Sequence, residues 1–178
     1  MRCLLMSDVH ANLAALEAVL ADAGKFDVVW CLGDMVGYGP DPNECVARLR
    51  EHTHVCLAGN HDWAVLGKLD IRGFNTEARI ANEWTQSVLG SSAQSYLQSL
   101  LPQRTERDFT LVHGSPRQPI WEYILDPLTA ELNFPAFKTR VCFVGHTHVP
   151  AGFFLPDGGD DHLCEPRAPH YHQPISLN

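Results

Sequence analysis

Residues 3–34 read CLLMSDVHANLAALEAVLADAGKFDVVWCLGD. Apolar runs at the two ends, Cys3 to Met6 and Val28 to Leu32, lack the polar alternation of a half-exposed strand, so both read as strands covered on two faces. Between them Leu13, Leu16, Val19 and Leu20 recur at helical spacing, with Asn12 placed to cap the start and Gly24 to close the end. This is a βαβ unit, and it sets an α/β fold class with parallel strands. The next crossover opens with Asp41, Pro42 and Glu44, which supply a cap, a first-turn proline and a capping-box acid. It continues with Cys45, Val46 and Leu49 facing inward and leads to a third strand at Val55 to Ala58.

After Asp62 the period changes. Residues 76 to 101 read as one or two helices, with Ala81, Trp84 and Val88 as one apolar stripe and Tyr96, Leu97, Leu100 and Leu101 as a second, stopped by Pro102. We expect a single domain over 1–178 with a helical insertion at about 64–102. Further strands are expected at Phe109 to His113, Val141 to Val144 and Gly152 to Leu155, with a short helix near 127–134. Residues 156–178 carry breakers and a charged turn at Asp157 to Asp161, and read as loop apart from Ile175 to Leu177.

Composition removes several functions. Thirteen Lys and Arg against 21 Asp and Glu give a formal net charge of −8, so no extended nucleic-acid surface is expected. With 45% hydrophobic and 19% charged residues the chain lies far from disorder. No apolar run approaches the roughly 20 residues of a bilayer span, so we expect no membrane partner and a cytoplasmic location. The six cysteines include no CxxC pair, and four sit inside apolar runs, which points to reduced core thiols. The ten histidines are the anomaly, because five fall in turn-like segments beside Asp, Asn or Gly.

Each strand runs at its carboxyl end into polar residues: Asp8 and His10, Asp34, Asn60-His61-Asp62, His113, and His146-Thr147-His148. That edge of an open α/β sheet is where ligands bind. Taken singly, an Asp-x-His is more often a helix cap and a Gly-Asp more often a turn. Five such motifs in chain order, each at a strand end, are hard to assemble by chance. Hard oxygen donors with imidazole and no cysteine suit Mn, Fe or Zn better than a structural thiolate site. Seven donors exceed one ion's needs and suit two ions about 3.5 to 4 Å apart, the arrangement used for phosphoester hydrolysis. Such ions also offset the acidic charge where a phosphate docks.

These motifs resemble the five signature motifs of the calcineurin-like metallophosphoesterase superfamily. The longer strings GDMVGYGPDP at 33–42, HGSPR at 113–117 and VGHTHVP at 144–150 resemble its bacterial diadenosine tetraphosphatase-like or YfcE-like phosphodiesterase branch. The resemblance implies a four-layer α/β/β/α sandwich. It implies one ion held by Asp8, His10, Asp34 and His148, and a second held by Asp34, Asn60, His113 and His146, with Asp34 as the bridge. Mn is the first expectation for both, with Fe, Zn, Ni and Co as alternatives. A metal-bridging hydroxide would attack phosphorus in line, His61 would face the scissile phosphate, and Asp62 would orient His61 and raise its basicity. The implied substrate is a small phosphodiester or a dinucleoside polyphosphate, and the implied activity that of a hydrolase.

Arg117 is a candidate for a distal phosphate, and Tyr38 for stacking on a base together with Trp63, Trp121 and Tyr123, although aromatics beside a helical cap are more often packing residues. A non-catalytic protein-interaction scaffold of the same fold is the alternative, disfavoured by the presence of His61. A protein serine/threonine phosphatase is disfavoured by chain length. Branch members usually continue beyond the last His-x-His, so the second sheet is expected to be incomplete and 156–178 short relative to the family.

Overall fold

The computed structural model describes residues 1–155 and 164–167. Of the loop expected over 156–178, the parts at 156–163 and 168–178, including Ile175 to Leu177, lie outside the described residues, while Glu165–Arg167 form a strand through antiparallel pairing with Gly152–Phe154. The first half runs β1 (Cys3–Met6), α1 (Leu13–Asp22), β2 (Val28–Cys31), α2 (Pro42–Arg50) and β3 (His54–Cys56). Its strands are parallel in the order β1-β2-β3, with Met6 opposite Cys31 and Cys31 opposite Cys56. Three helices follow, α3 (Asn60–Val65), α4 (Thr76–Val88) and α5 (Ser91–Gln98). A second sheet, ordered β4-β5-β6, is made by β4 (Gln103–Glu106), β5 (Phe109–Val112) and β6 (Val141–Val144), with α6 (Pro127–Asn133) as the crossover between the parallel pair β5 and β6. Strands β7 (Gly152–Phe154) and β8 (Glu165–Arg167) form a separate antiparallel ladder.

The side-chain period of two along β2 explains the layers. Val29 and Cys31 point to the helices and join Leu16, Leu20, Leu49 and Leu97 in one core. Val28, Trp30 and, beyond the strand, Leu32 point the other way and meet Leu57 and Leu111, with Phe109 and Phe143 closing this core from the second sheet. A smaller cluster of Ile124, Ala130 and Cys164 with Phe134 and Val144 covers the far side of β6. Helices, two face-to-face sheets and α6 are therefore stacked in that order. All four residues of β6 are only half-buried, so the second sheet is thinly covered at this edge.

Local signals act largely as the sequence suggests, with some corrections. Asn12 Oδ1 caps α1 by accepting from Ala15 N. Asp41 stands at the N-cap of α2 but makes no side-chain capping bond, leaving Pro42 to start the helix. β3 ends at Cys56, two residues short of the apolar run. β4 was not expected, because QRTE carries no apolar alternation; it is a strand through its antiparallel pairing with β5.

The larger correction concerns α4. Its buried residues are Ala78, Asn82 and Thr85, while Trp84 is 43% exposed and Ile80 and Val88 are exposed as well. The apolar stripe faces outward and the polar one inward. Leu97→Ala, at a fully buried position on α5, is expected to cost about 2–5 kcal/mol in urea unfolding. Trp84→Ala should change stability by no more than about 0.5 kcal/mol. Equal losses would mean that α4 packs through the Trp84 face.

Candidate metal centre

Beyond the ends of the strands the backbone pairing continues for a residue or two before the chain turns. Asp8 N donates to Gly33 O at 3.0 Å, His10 N to Asp34 O at 2.9 Å, and Gly145 N to His113 O at 2.8 Å. This stitching brings the ends of β1, β2, β5 and β6 to one locus, with Asn60 supplied by the start of α3. The turns themselves are strained: Asp8, His10, Asp34, His146 and His148 all have φ between 49° and 67°. Asp and His tolerate the left-handed region better than most side chains, and such residues cluster at functional sites.

Two groups of donors meet at Asp34. In the first, His148 Nε2 lies 3.3 Å from Asp8 Oδ1 and 3.1 Å from His10 Nε2. In the second, His113 Nε2 lies 2.9 Å from Asn60 Oδ1, and His113 and His146 can converge on one point with Asp34. Asp34 Oδ2 is 3.8 Å from His10 Nε2 and 3.5 Å from His113 Nε2, so a single oxygen faces both groups. Asp34 Oδ1 is turned away to accept from His61 N at 2.8 Å. Gly59 permits this approach, since a Cβ there would collide with the Asp34 carboxylate and amide. His10 and His113 each place Nδ1 against a backbone carbonyl, Val36 O at 3.2 Å and Leu32 O at 2.8 Å. Donating Nδ1–H there leaves the Nε2 lone pairs to the centre, the usual orientation for imidazole ligands.

The residues fit divalent cations. Asp8 Oδ1 and His146 Nε2 are buried without any hydrogen-bond partner among the described residues, which in a native interior calls for an explanation. The facing Nε2 atoms of His10 and His148 also need a proton or a cation between them. Donors each about 2.1 Å from one ion stand about 3 Å or slightly more apart, close to the separations above. Burial, followed by the charges of Asp62 and Asp8, pushes the Asp34 carboxyl well above the usual carboxylate range. Burial also pushes the imidazoles of His10, His113 and His146 down, His146 to about 4, with His113 the next cause. These three neutral rings thus surround a carboxylate that lacks a counter-charge.

The other predicted residues divide. His61 is buried at the same locus, and a ring nitrogen approaches donor atoms of His10 and Asp34 within 4.8 Å. Asp62 does not orient it: Asp62 Oδ1 accepts from Val36 N at 3.2 Å and Oδ2 from Gly59 N at 2.9 Å. Successive residues on a helix point about 100° apart, so neighbours on α3 cannot face each other. His61 Nδ1 instead meets Asn82 Oδ1 at 3.0 Å. Tyr38 packs on His10 and His61, and Tyr123 stacks on His146 with ring centroids 3.9 Å apart. Both line a cavity of about 230 Å³ with His10, Asp34, Asn60, His146 and His148. Arg117 lies outside that cavity, with its guanidinium 3.8 Å from Glu122, and Trp63 sits under Lys68. Asn82 and the stacking of Tyr123 were missed; the signal for Asn82 was a polar residue in register with Ala78 and Thr85.

The chain belongs to the calcineurin-like phosphoesterase family, whose pattern matches residues 1–150. A metallophosphoesterase from Sphaerobacter thermophilus shares 51% identity and a TM-score of 0.82, covering 96% of this chain and 69% of that one. The hypothetical protein PH1004 from Pyrococcus horikoshii OT3, at 19% identity, shares the fold with a TM-score of 0.71 over 84% of this chain and 70% of its own. The uncharacterized protein MJ0912 of Methanocaldococcus jannaschii is 39% identical over 155 residues, 82% of this chain. The present chain spans 62% of that relative's length. Family membership implies divalent metal ions, in agreement with the donor set.

Burial holds His146 at about 4 and His61 at about 3, against an ordinary 6.5. Between about pH 4 and 6.5 the unfolded chain therefore binds protons that these two rings refuse when folded. Asp62, raised to about 6 by burial, and Asp34, raised well above the usual carboxylate range, take up protons on folding and work in the opposite sense. In urea titrations with chelator present, His146→Gln, which removes one of the two rings, should therefore lose less stability from pH 7 to pH 5 than the parent. An equal or greater loss in the variant would mean that the His146 ring is protonated in the folded state.

Proposed function

We propose that this chain is a metal-dependent hydrolase of phosphodiesters, with two divalent ions sharing Asp34. The observation that carries this reading is the single Asp34 oxygen facing His10 on one side and His113 on the other. Asp8, His10 and His148 would hold one ion with Asp34, and Asn60, His113 and His146 the other. Bound ions would supply positive charge for the phosphoryl oxygens and activation of the attacking water. We take manganese as the first metal to test.

The remaining chemistry falls to this chain's own residues. In diester hydrolysis a water oxygen bonds to phosphorus, the bond from phosphorus to the leaving oxygen breaks, and a proton reaches the leaving oxygen. His61 is assigned to that leaving group, as proton donor or as stabiliser of developing charge. Its ring is neutral while the cleft is empty of anion, because burial depresses it to about 3. A docked phosphate beside it favours the protonated form.

The substrate reading is a small diester carrying a planar group, such as a nucleotide. Tyr38 and Tyr123, 45% and 49% exposed, stand at the cavity and offer faces for stacking. Arg117 is left out of the substrate contacts because it does not line the cavity and its guanidinium stands 3.8 Å from Glu122. No helix among the described residues is long and apolar enough to cross a membrane.

Chelator-stripped protein reloaded with manganese should hydrolyse bis(p-nitrophenyl) phosphate, and His61→Ala should lower kcat by about 100-fold or more with bound metal unchanged. A loss of only a few fold would remove His61 from the mechanism. Asp34→Asn should reduce the metal bound per chain after dialysis, measured by atomic emission; unaltered content and affinity would refute the shared carboxylate.

A further inference from the structure

Helix α4 is built inside out, and Asn82 is the reason to ask why. Asparagine is a poor residue for a helix interior, and a buried amide is costly unless its atoms are bonded. Asn82 is 1% exposed, and its Nδ2 is buried with no partner. The one side-chain hydrogen bond it makes among the described residues runs from Oδ1 to His61 Nδ1, at 3.0 Å. Half of its hydrogen-bonding capacity is thus wasted. An apolar residue of the same volume would spare the unpaired Nδ2 but would leave the buried His61 Nδ1 without its partner, so what Asn82 contributes is its bond to His61.

The surroundings of His61 show what the bond achieves. The ring stands edge-on to Phe74, with centroids 5.2 Å apart, and edge-on to His10 at 4.8 Å, while Tyr38 lies tilted across it at 4.6 Å. Gly37, with φ +87°, has no side chain at the place where a Cβ would strike the ring near Nδ1. These ring contacts confine the ring plane but do not tell one ring nitrogen from the other. Asn82 does so by turning the oxygen end of its amide, which only accepts, toward Nδ1. The neighbouring carboxylate of Asp62 is not free for the task, since both of its oxygens are engaged by backbone amides.

The geometry points to Asn82 as a positioning residue that keeps the proton of His61 on Nδ1 and leaves Nε2 as the nitrogen that meets the substrate. His10 and His113 are fixed in the same sense by carbonyls of Val36 and Leu32. For His61 the acceptor comes from a side chain on α4, an element that contributes none of the proposed metal donors. The consequence for turnover rests on the role given to His61 above; the tautomer does not.

Two readouts separate these claims. Long-range proton–nitrogen NMR on the 15N-histidine-labelled full chain, metal-free and zinc-loaded, should show His61 as the Nδ1–H form, with its signals assigned by their loss in His61→Ala. In Asn82→Leu that pattern should give way to the Nε2–H form or to a mixture. A parent in the Nε2–H form, or an unchanged pattern in the variant, would overturn the proposal, and the parent spectrum decides even if the variant does not fold. In manganese-loaded protein, Asn82→Leu should lower kcat for a phenyl diester by about 10- to 100-fold with bound metal unchanged, as loss of an outer partner of a site histidine typically does. The loss should be smaller for a p-nitrophenyl leaving group, and Asn82→Asp, which keeps an acceptor, should recover most of it.

In a His61→Ala background the same substitution should add no more than about twofold, since the two residues act as one unit. An undiminished loss there would make Asn82 merely structural and overturn its positioning role. If His61→Ala proves harmless while the NMR pattern holds, the role of His61 in the reaction falls and the hold of Asn82 on its ring stands.

Discussion

The Asp34 carboxylate is 1% exposed, with one oxygen held by the His61 amide and the other between the imidazoles of His10 and His113. No lysine or arginine side chain stands among its partners. An anion in that position is costly in a low-dielectric interior, and its raised pKa records the cost. The fold tolerates it because the segment after β2 is locked from three directions: by the β1 extension through His10 N, by α3 through His61 N, and by the close approach of Gly59. The pair of divalent cations proposed here would relieve the charge, so the same carboxylate would link folding, metal binding and the proposed chemistry.

The stacking of the two sheets follows from this requirement as much as from burial. β2 is the middle strand of the first sheet and is buried on both faces. Its alternate residues build the helix-side core and the sheet–sheet core, and its exit delivers Asp34 to the centre. β5 and β6 approach from the second sheet, delivering His113, His146 and His148 to the opposite side of the same locus. Left-handed backbone at five of the seven proposed ligands shows where conformational strain collects. The ladder bonds that continue past the strands, together with the packed interface of Trp30, Leu111 and Phe143, offset it.

The class of fold was legible in residues 3–34, because buried parallel strands and an amphipathic crossover have distinct periods. The convergence of Asp8, His10, Asp34, Asn60, His113, His146 and His148 was legible from their shared place after strands. What escaped depended on tertiary pairing. β4 has no apolar pattern and exists through its partner. The inward face of α4 was misassigned because Trp84 and Val88 outweigh Asn82 and Thr85 on any hydropathy scale. The resemblance implies Asp62 as the residue that orients His61, whereas helical geometry sends consecutive side chains to different neighbours. Arg117 has its charge answered by Glu122 through a loop whose conformation no local signal announces.

The central claim is that one carboxylate joins two metal positions, and electron paramagnetic resonance of the chain saturated with manganese tests it most directly. Two ions sharing Asp34 would be exchange-coupled, giving a spectrum whose hyperfine pattern is split by two nuclei and whose intensity falls on cooling. Only the six-line signal of isolated manganese, at any loading, would contradict the shared site.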